Sequence, residues 1–523
     1  MFLKQYCTAL ILLVATELIE AQYPCAPRTY KDGYSVCVCN STYCDSIEPP
    51  GQLQKGTGAL YYSSKQGARM RKTIVSSQRS APGQSKFLEI DSSQQFQKIF
   101  GFGATFTDAS MVNINSLPKE MGANIIKQYY SRESGIGYTF GRVPMGATDF
   151  STKGYTYDDV ENDFDLRNFA IPQDEVDNRI SHILSAISYT NNTIKLIATP
   201  WSPPAWMKTN NNILNYGMIN GDININDTYF RTWANYFVRF FDEYQKQNVS
   251  FWGFSIQNAP SKTGFTQYNS PTCQYTAEME TDFIAKYVGR IIKNSTNTKD
   301  LNLIIFDDNR DKVEDWTDMI LGDAFAAKHV AGIGLHWYDD RDFNAFLVNN
   351  THYKWPQYFI LSTEARTDWR NGKTHVVLGD WAAGAGYASN VIQDLHTWYS
   401  GWIDMNLALD TEGGPSWTKN IADAPIIVNA SATEYYKQPM YHAIAHFSKF
   451  IQPNATRIAE TWMSFDTIGL NAVAFLNPDG TRTVVIHNYD MLQVGVNIVE
   501  KTNPGYYYSF EMDPYSIATL TIN

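Results

Sequence analysis

Hydrophobic and polar positions along this chain follow two rhythms. From about residue 98 to 410, short apolar runs alternate with amphipathic stretches. The runs read as strands: KIFGFGATF (98–106), YTFGRVPMG (138–146), IKLIATPW (194–201) and VSFWGFSIQN (249–258), then LNLIIFDDN (301–309), VAGIGLHWY (330–338), QYFILSTE (357–364) and WIDMNLALD (402–410). Between the third and fourth, residues 229–247 carry Phe230, Trp233, Phe237, Phe240, Phe241 and Tyr244 at helical spacing, a stripe suited to core packing. Eight strands with intervening helices are what a (β/α)8 barrel requires. A last barrel helix is expected over about 435–451 (YYKQPMYHAIAHFSKFI). Beyond it, TRTVVIHNY, QVGVNIVE, GYYYSFEM and SIATLTIN succeed one another without helical interruption, which predicts an antiparallel sandwich. Residues 51–97 share that β character, so both ends of the chain are expected in one sandwich, with the barrel inserted between them.

The strand ends carry the candidate chemistry. Asp149 follows the second run, and Trp201, Asn258, Asp307, His336 and Glu364 lie at the ends of others. In such barrels the C-terminal strand ends build the site. One acidic residue there is often only a helix cap, whereas six strands converging with carboxylates, amides and aromatics favour a binding pocket.

Composition narrows the classes. The chain has 523 residues, 44% of them hydrophobic and 14% aromatic, enough for large cores and unlike a disordered segment. A formal charge of −11 argues against a nucleic-acid partner, whose phosphates demand a basic face. Lys4, the apolar run TALILLVA (8–15) and Ala21 have the layout of a secretory signal over residues 1–21. No later stretch reaches membrane-helix length, so a soluble mature chain in the secretory or lysosomal route is expected. Sequons at Asn40, Asn191, Asn226, Asn248, Asn294, Asn349, Asn429 and Asn454 fit that route. Cys7 would leave with the signal. Cys25, Cys37, Cys39 and Cys44 cluster as a stapled module in an oxidising compartment, with zinc the weaker alternative because no CxxC pair is present. Cys273 remains as a single thiol. No cofactor and no other metal is called for.

Several longer stretches carry a resemblance: VCVCNSTYCDS, KIFGFGATFTDA, RVPMGATDF, TPWSPPAWMKTN, GLHWY, NLALDTEGGPSW and YKQPMYHAIAHFSKFI. Through them the chain resembles the glucosylceramidases of glycoside hydrolase family 30 over essentially its whole mature length. The resemblance implies a disulfide-held β module at 22–50 (with about 407–438) and a β-sandwich of 51–97 plus 455–523. It implies a TIM barrel of 98–406 plus 439–454, and pairs Cys25 with Cys37 and Cys39 with Cys44. The implied reaction is retaining hydrolysis of glucosylceramide, or a related β-glucoside, in the lysosomal lumen or after secretion. Peripheral contact with a lipid membrane and a saposin-like activator come with it.

Retention needs two carboxyls about 5–5.5 Å apart. By resemblance the nucleophile is Glu364, and Asp149, Trp201, Asn258, Trp417 and Asn420 bind the sugar, with Arg142, His336 and Tyr338 supporting the carboxylates. Two positions depart from the family. The acid/base position is Ala259, following Asn258 where family members have glutamate, and Met405 replaces a pocket tryptophan. Nearby substitutes are poor: Lys262 is a charged base, and Glu278 and Glu280 lie at a helix start. Three readings follow. One is a glucosylceramidase-type hydrolase with strongly reduced turnover. Another is a pseudoenzyme that binds glycolipid or a partner enzyme. The third is a glycosidase retuned to good leaving groups.

Overall fold

The structure, a computed structural model, describes residues 24–81, 85–225, 227–261, 269–340, 345–367 and 375–523. The signal segment, Asn226 and Lys262 lie outside these residues.

Eight parallel strands close a barrel in chain order. They are β1 (Gly101–Thr105), β2 (Phe140–Met145), β3 (Lys195–Pro200), β4 (Gly253–Ser255), β5 (Asn302–Asn309), β6 (Val330–His336), β7 (Phe359–Ala365) and β8 (Tyr399–Asp404). Helices cover the outside. The longest, Thr228–Lys246, buries Phe230, Trp233, Phe237, Phe240, Phe241 and Tyr244 as the periodicity predicts. Its N-terminus is fixed by the Asp227 carboxylate, which accepts from the Tyr229 amide at 2.7 Å.

Four boundaries differ from the sequence reading, each for a local reason. The run 98–106 splits, because Ile99 ends a long strand of the other domain and Gly101 (φ +141°) turns the chain into β1. A Cβ at Gly101 would lie 1.7 Å from Thr139 Oγ1, so only glycine fits. The fourth strand keeps only Gly253–Ser255 of the expected 249–258, and the chain bends away toward Ala259 (φ +46°). The run 402–410 also splits, because Leu409–Asp410 joins a different sheet. The helix expected from about 435 begins at Pro439, since Glu434–Lys437 is a strand paired with Cys37–Cys39. Proline at the first helical turn suits that start.

A nine-stranded sheet combines Thr57–Ser64, Arg71–Ser76 and Lys86–Ile99 with the strands between Ala455 and Ile522. It is antiparallel except where Val494–Glu500 runs parallel to Lys86–Ile99, a correction to the all-antiparallel expectation. Lys86–Ile99 accepts a neighbour on each side, which buries Leu88 and Ile90 among Ile458, Val496 and Ile498. A smaller five-stranded sheet orders Pro27–Thr29, Ser35–Cys39, Glu434–Lys437, Ile426–Asn429 and Leu409–Asp410. Disulfides join Cys25 to Cys37 and Cys39 to Cys44, which leaves these four cysteines no thiolate to offer zinc, and Cys273 is free and buried. The seven described sequon asparagines are all at least partly exposed. No helix among the described residues is long and apolar enough to cross a membrane.

Candidate active site

The barrel interior changes character along its axis. Phe140, Ile197, Ile304, Leu361 and Ile403 fill one layer, with Phe100, Trp252 and Phe359 packed against it. Inward positions two residues further along three of these strands are Arg142, Thr199 and Thr363, since strand side chains alternate. Ser255 joins from β4, and Asp307 from β5, where the register shifts between Phe306 and Asp308. The apolar layer seals the floor and the polar layer above it faces the C-terminal rim.

Asp307 is the hub of that polar layer. It accepts from Ser255 Oγ at 2.5 Å, Thr363 Oγ1 at 2.5 Å, Arg142 Nη2 at 2.9 Å and His336 Nε2 at 3.0 Å. Burial opposes its charge, but Arg142 and His336 outweigh burial and hold the carboxyl well below its usual range. Sequence reading noticed Asp307 only as a strand end. The signal available was the bulge-prone FDDN beside an inward arginine, and the left-handed Phe306 and Asp307 (φ +70° and +56°) are invisible in a sequence.

Arg142, fully buried on β2, joins this hub to the candidate nucleophile. Its Nη1 donates to Glu364 Oε2 at 2.5 Å, its Nη2 donates to Asn258 Oδ1 at 2.9 Å, and its guanidinium lies over the Trp201 ring at 4.7 Å. Burial works against the cation, yet Asp307 and Glu364 hold its pKa above the ordinary value. Tyr338 donates to the other Glu364 oxygen, Oε1, at 2.7 Å. Burial alone would raise Glu364. His336, Arg142 and the two hydrogen bonds reverse that, leaving it below the ordinary glutamate range. His336 sits opposite Glu364 in the β6–β7 ladder, while its ring bonds to Asp307.

A second wall forms beyond β2. Asp149 Oδ2 accepts from Asn420 Nδ2 at 2.5 Å and lies 3.8 Å from Arg366 Nη1. Its Oδ1 is buried with no hydrogen-bond partner among the described residues, and burial raises its pKa against the pull of Arg366. The Arg366 guanidinium also lies 5.6 Å from the centre of the Tyr338 ring, which links this wall to Glu364. Sequence reading missed Arg366. The Trp417 indole donates to Thr148 O at 2.8 Å, fixing its ring. Trp201 and Met405 are buried in one cluster with Phe150 and Leu409, and the Met405 amide donates to Ala365 O at 2.7 Å. The structure therefore gathers Arg142, Asn258, Tyr338 and Glu364 with Trp201, while Asp149, Asn420 and Trp417 form the adjoining wall.

Ala259 follows Asn258 and is buried, with its amide donating to Asp307 O at 3.0 Å. The Glu280 carboxylate is turned away from position 259 and bound elsewhere. It accepts from the Phe306 amide at 3.0 Å and from Trp316 Nε1 at 2.6 Å, in contact with the helix outside β5. Glu278 is exposed on Ala277–Phe283, the helix that carries Glu280. A cavity of about 990 Å³ lies elsewhere, between helix Trp381–His396 and the sandwich, and shares Tyr338 with this site.

Comparison with known proteins agrees with this architecture. The model of the glycosyl hydrolase family 30 TIM-barrel domain matches residues 99–451, and that of the family's β-sandwich domain matches 454–520. "Putative glucosylceramidase 4" of Caenorhabditis elegans is 41% identical over 500 residues, 95% of each chain. Lysosomal acid glucosylceramidase of Mus musculus is 37% identical over 495 residues, 92% of this chain and 94% of that one. The crystal structure of SrfJ from Salmonella typhimurium superposes with a TM-score of 0.79 at 25% identity, covering 89% of this chain and 99% of that one. The chain belongs to glycosyl hydrolase family 30.

Proposed function

We propose that this protein acts on glucosylceramide or a related β-glucoside by a retaining mechanism, with Glu364 as nucleophile and with turnover strongly reduced by the loss of the acid/base at Ala259. The observation that carries the reading is the double clamp on Glu364, with Arg142 on one oxygen and Tyr338 on the other. A carboxylate kept ionised and fixed in direction suits attack on an anomeric carbon. The unpartnered oxygen of Asp149 and the amides of Asn258 and Asn420 suit sugar hydroxyls, and the Trp201 and Trp417 rings suit its apolar face. Relatives named glucosylceramidases at 37–41% identity support the substrate class. The same reading assigns a lysosomal or secretory location, a membrane-borne substrate and a saposin-like activator.

Without a proton donor at position 259, the departing ceramide leaves as an alkoxide. General acid assistance contributes about 10²–10⁴-fold, roughly 3–5 kcal/mol of barrier. The second step slows too, because no base activates water. Ala259 equally favours a second reading, a pseudoenzyme that binds glycolipid or a partner enzyme.

Turnover of a glucosylceramide and of an aryl β-glucoside with an activated leaving group, measured side by side on purified protein, separates these readings. Measurable aryl cleavage with little or no ceramide release supports the first. Binding of the glycolipid without cleavage of either substrate supports the second. Ordinary rates on both would overturn the reduced-turnover proposal.

A further inference from the structure

One end of the sandwich carries an apolar surface that the catalytic site does not use. The turn 463–469 and the turn 489–493 are tied together, with Leu470 paired to Asn488 and the Tyr489 amide donating to Gly469 O at 2.9 Å. From these tips Phe465 is 96% exposed, Ile468 84%, Met491 70% and Leu492 66%, with Met463 and Tyr489 beside them. Large apolar side chains extended into water at adjacent turns are costly unless something covers them. The turns themselves are built: Asn488 Nδ2 donates to Leu492 O and Asp513 O, each at 2.9 Å, and Lys86 Nζ donates to Phe465 O at 3.0 Å.

Their orientation points to the occupant. Asn488 pairs with Ser516, which pairs with Ser64, so the hairpin turn carrying Arg69 lies at the same sheet end. The Arg69 guanidinium lies 5.4 Å from the ring centre of Trp381. Trp381 opens the helix that follows β7, and such helices start at the C-terminal rim, where Glu364 lies one residue before the end of its strand. Along that helix, His396 Nε2 meets Ala472 O at 2.8 Å, and Ser389, nearer the rim, meets His487 at 3.2 Å. His487 pairs with Asn471, one residue closer to the apolar turn. The strands therefore run toward the rim, and the apolar tips lie on the side of the molecule that holds the candidate site.

We infer that Phe465, Ile468, Met491 and Leu492 insert into a lipid bilayer and hold the barrel rim toward the membrane that carries the substrate. The choice of a bilayer rests on the lipid-substrate reading above. Lys86 bonds to the Phe465 carbonyl next to Asp466, and Lys65 and Asp490 both border Tyr515, so the cations near the tips are matched by carboxylates and insertion is driven by apolar surface rather than by anionic headgroups.

The test uses the full chain and phosphatidylcholine vesicles free of glycolipid, so that binding is read independently of the catalytic site. Co-sedimentation at low and at high salt compares the wild type with a variant combining Phe465→Ser, Ile468→Ser, Met491→Ser and Leu492→Ser. The expected result is salt-insensitive binding by the wild type and a loss on the order of tenfold or more, about 1.4 kcal/mol, in the variant. A second readout needs no multiple substitution. Phe465→Cys, labelled with an environment-sensitive dye while Cys273 stays buried, should shift its emission to the blue on vesicles. Equal binding by the folded variant, no binding by the wild type, or no dye shift overturns the inference. So does a wild-type dimer that the substitutions dissociate without any vesicle binding. Intact vesicle binding in a protein that neither cleaves nor binds glucosides would leave the inference standing and remove the catalytic reading alone.

Discussion

The backbone amide of Ala259 donates to the carbonyl of Asp307 at 3.0 Å, and both residues have left-handed backbone, with φ of +46° and +56°. The end of the short fourth strand is thereby locked to the bulge of the fifth. Position 259 keeps a defined place beside Asn258 and the Arg142 cluster although its side chain ends at Cβ.

Alanine in that conformation is strained, because Cβ crowds the following carbonyl by about 1–2 kcal/mol. Ala259→Gly should relieve most of this and lose some of it to the greater freedom of the unfolded chain, for a net gain of about 0.5–1 kcal/mol. Urea unfolding followed by far-UV circular dichroism measures the difference. A loss of stability would mean that the Cβ makes packing contacts worth more than the strain.

Asp307 offers a sharper test of the hub. Asp307→Asn keeps the shape but removes the charge that sits 2.9 Å from Arg142 Nη2. Breaking a buried pair leaves an uncompensated cation and costs about 3–5 kcal/mol. Glu364 still neutralises part of Arg142, so the lower end, about 3 kcal/mol, is expected in urea unfolding. A change below about 1 kcal/mol would show that Arg142 depends on Glu364 alone.

The barrel was legible because its strands are apolar runs with helical stripes between them, and the Phe230 to Tyr244 stripe packs inward as the spacing requires. Boundaries were less legible where the chain changes sheet. Nothing in KIFGFGATF marks Ile99 as the last residue of one domain, because the steric demand at Gly101 comes from Thr139, far away in sequence. The strand Glu434–Lys437 hid inside a helical pattern because its ladder partner is the disulfide-held segment Cys37–Cys39. Arg142, Tyr338 and Glu364 were readable from the family motifs. The role of Asp307 as a fourfold acceptor depends on strand register and a bulge, neither of which composition or periodicity encodes.

Burial raises the Glu280 carboxyl from 4.5 to about 7, against the hydrogen bonds from Phe306 and Trp316. A raised folded-state value means that the native state holds a proton that the unfolded chain has released. The contribution is full below about pH 4.5 and is lost as pH rises through 7, on the order of 3 kcal/mol in total. Glu280→Gln removes this dependence. The stability difference between wild type and variant, from urea unfolding at pH 4.5, 6 and 7.5, should move in favour of the wild type toward acid. A difference that stays constant across that range would place the Glu280 value near that of an ordinary glutamate.

The final prediction concerns the missing acid. If Ala259 is the main defect, Ala259→Glu should restore a donor at a position whose backbone is already held against Asp307. The gain should approach 10²–10⁴-fold for glucosylceramide, whose leaving group needs protonation, and be smaller for an activated aryl glucoside. In the unsubstituted protein, azide should accelerate aryl cleavage by attacking the glycosyl-enzyme where water lacks a base. The product should be the β-glucosyl azide, since two inversions at Glu364 retain configuration. Glu364→Gln should abolish both activities, because Asp307 is taken up by Arg142, His336, Ser255 and Thr363, and Asp149 stands in the adjoining wall rather than in the clamp formed by Arg142 and Tyr338. Met405 lies in the same buried cluster as Trp201, so Met405→Trp belongs in the series as a candidate sugar wall. Substrate binding and kcat measured separately distinguish the two defects: Met405→Trp should lower KM, and Ala259→Glu should raise kcat. A folded double variant that cleaves neither substrate would show that the pocket has drifted beyond two substitutions, and the binding reading would then hold.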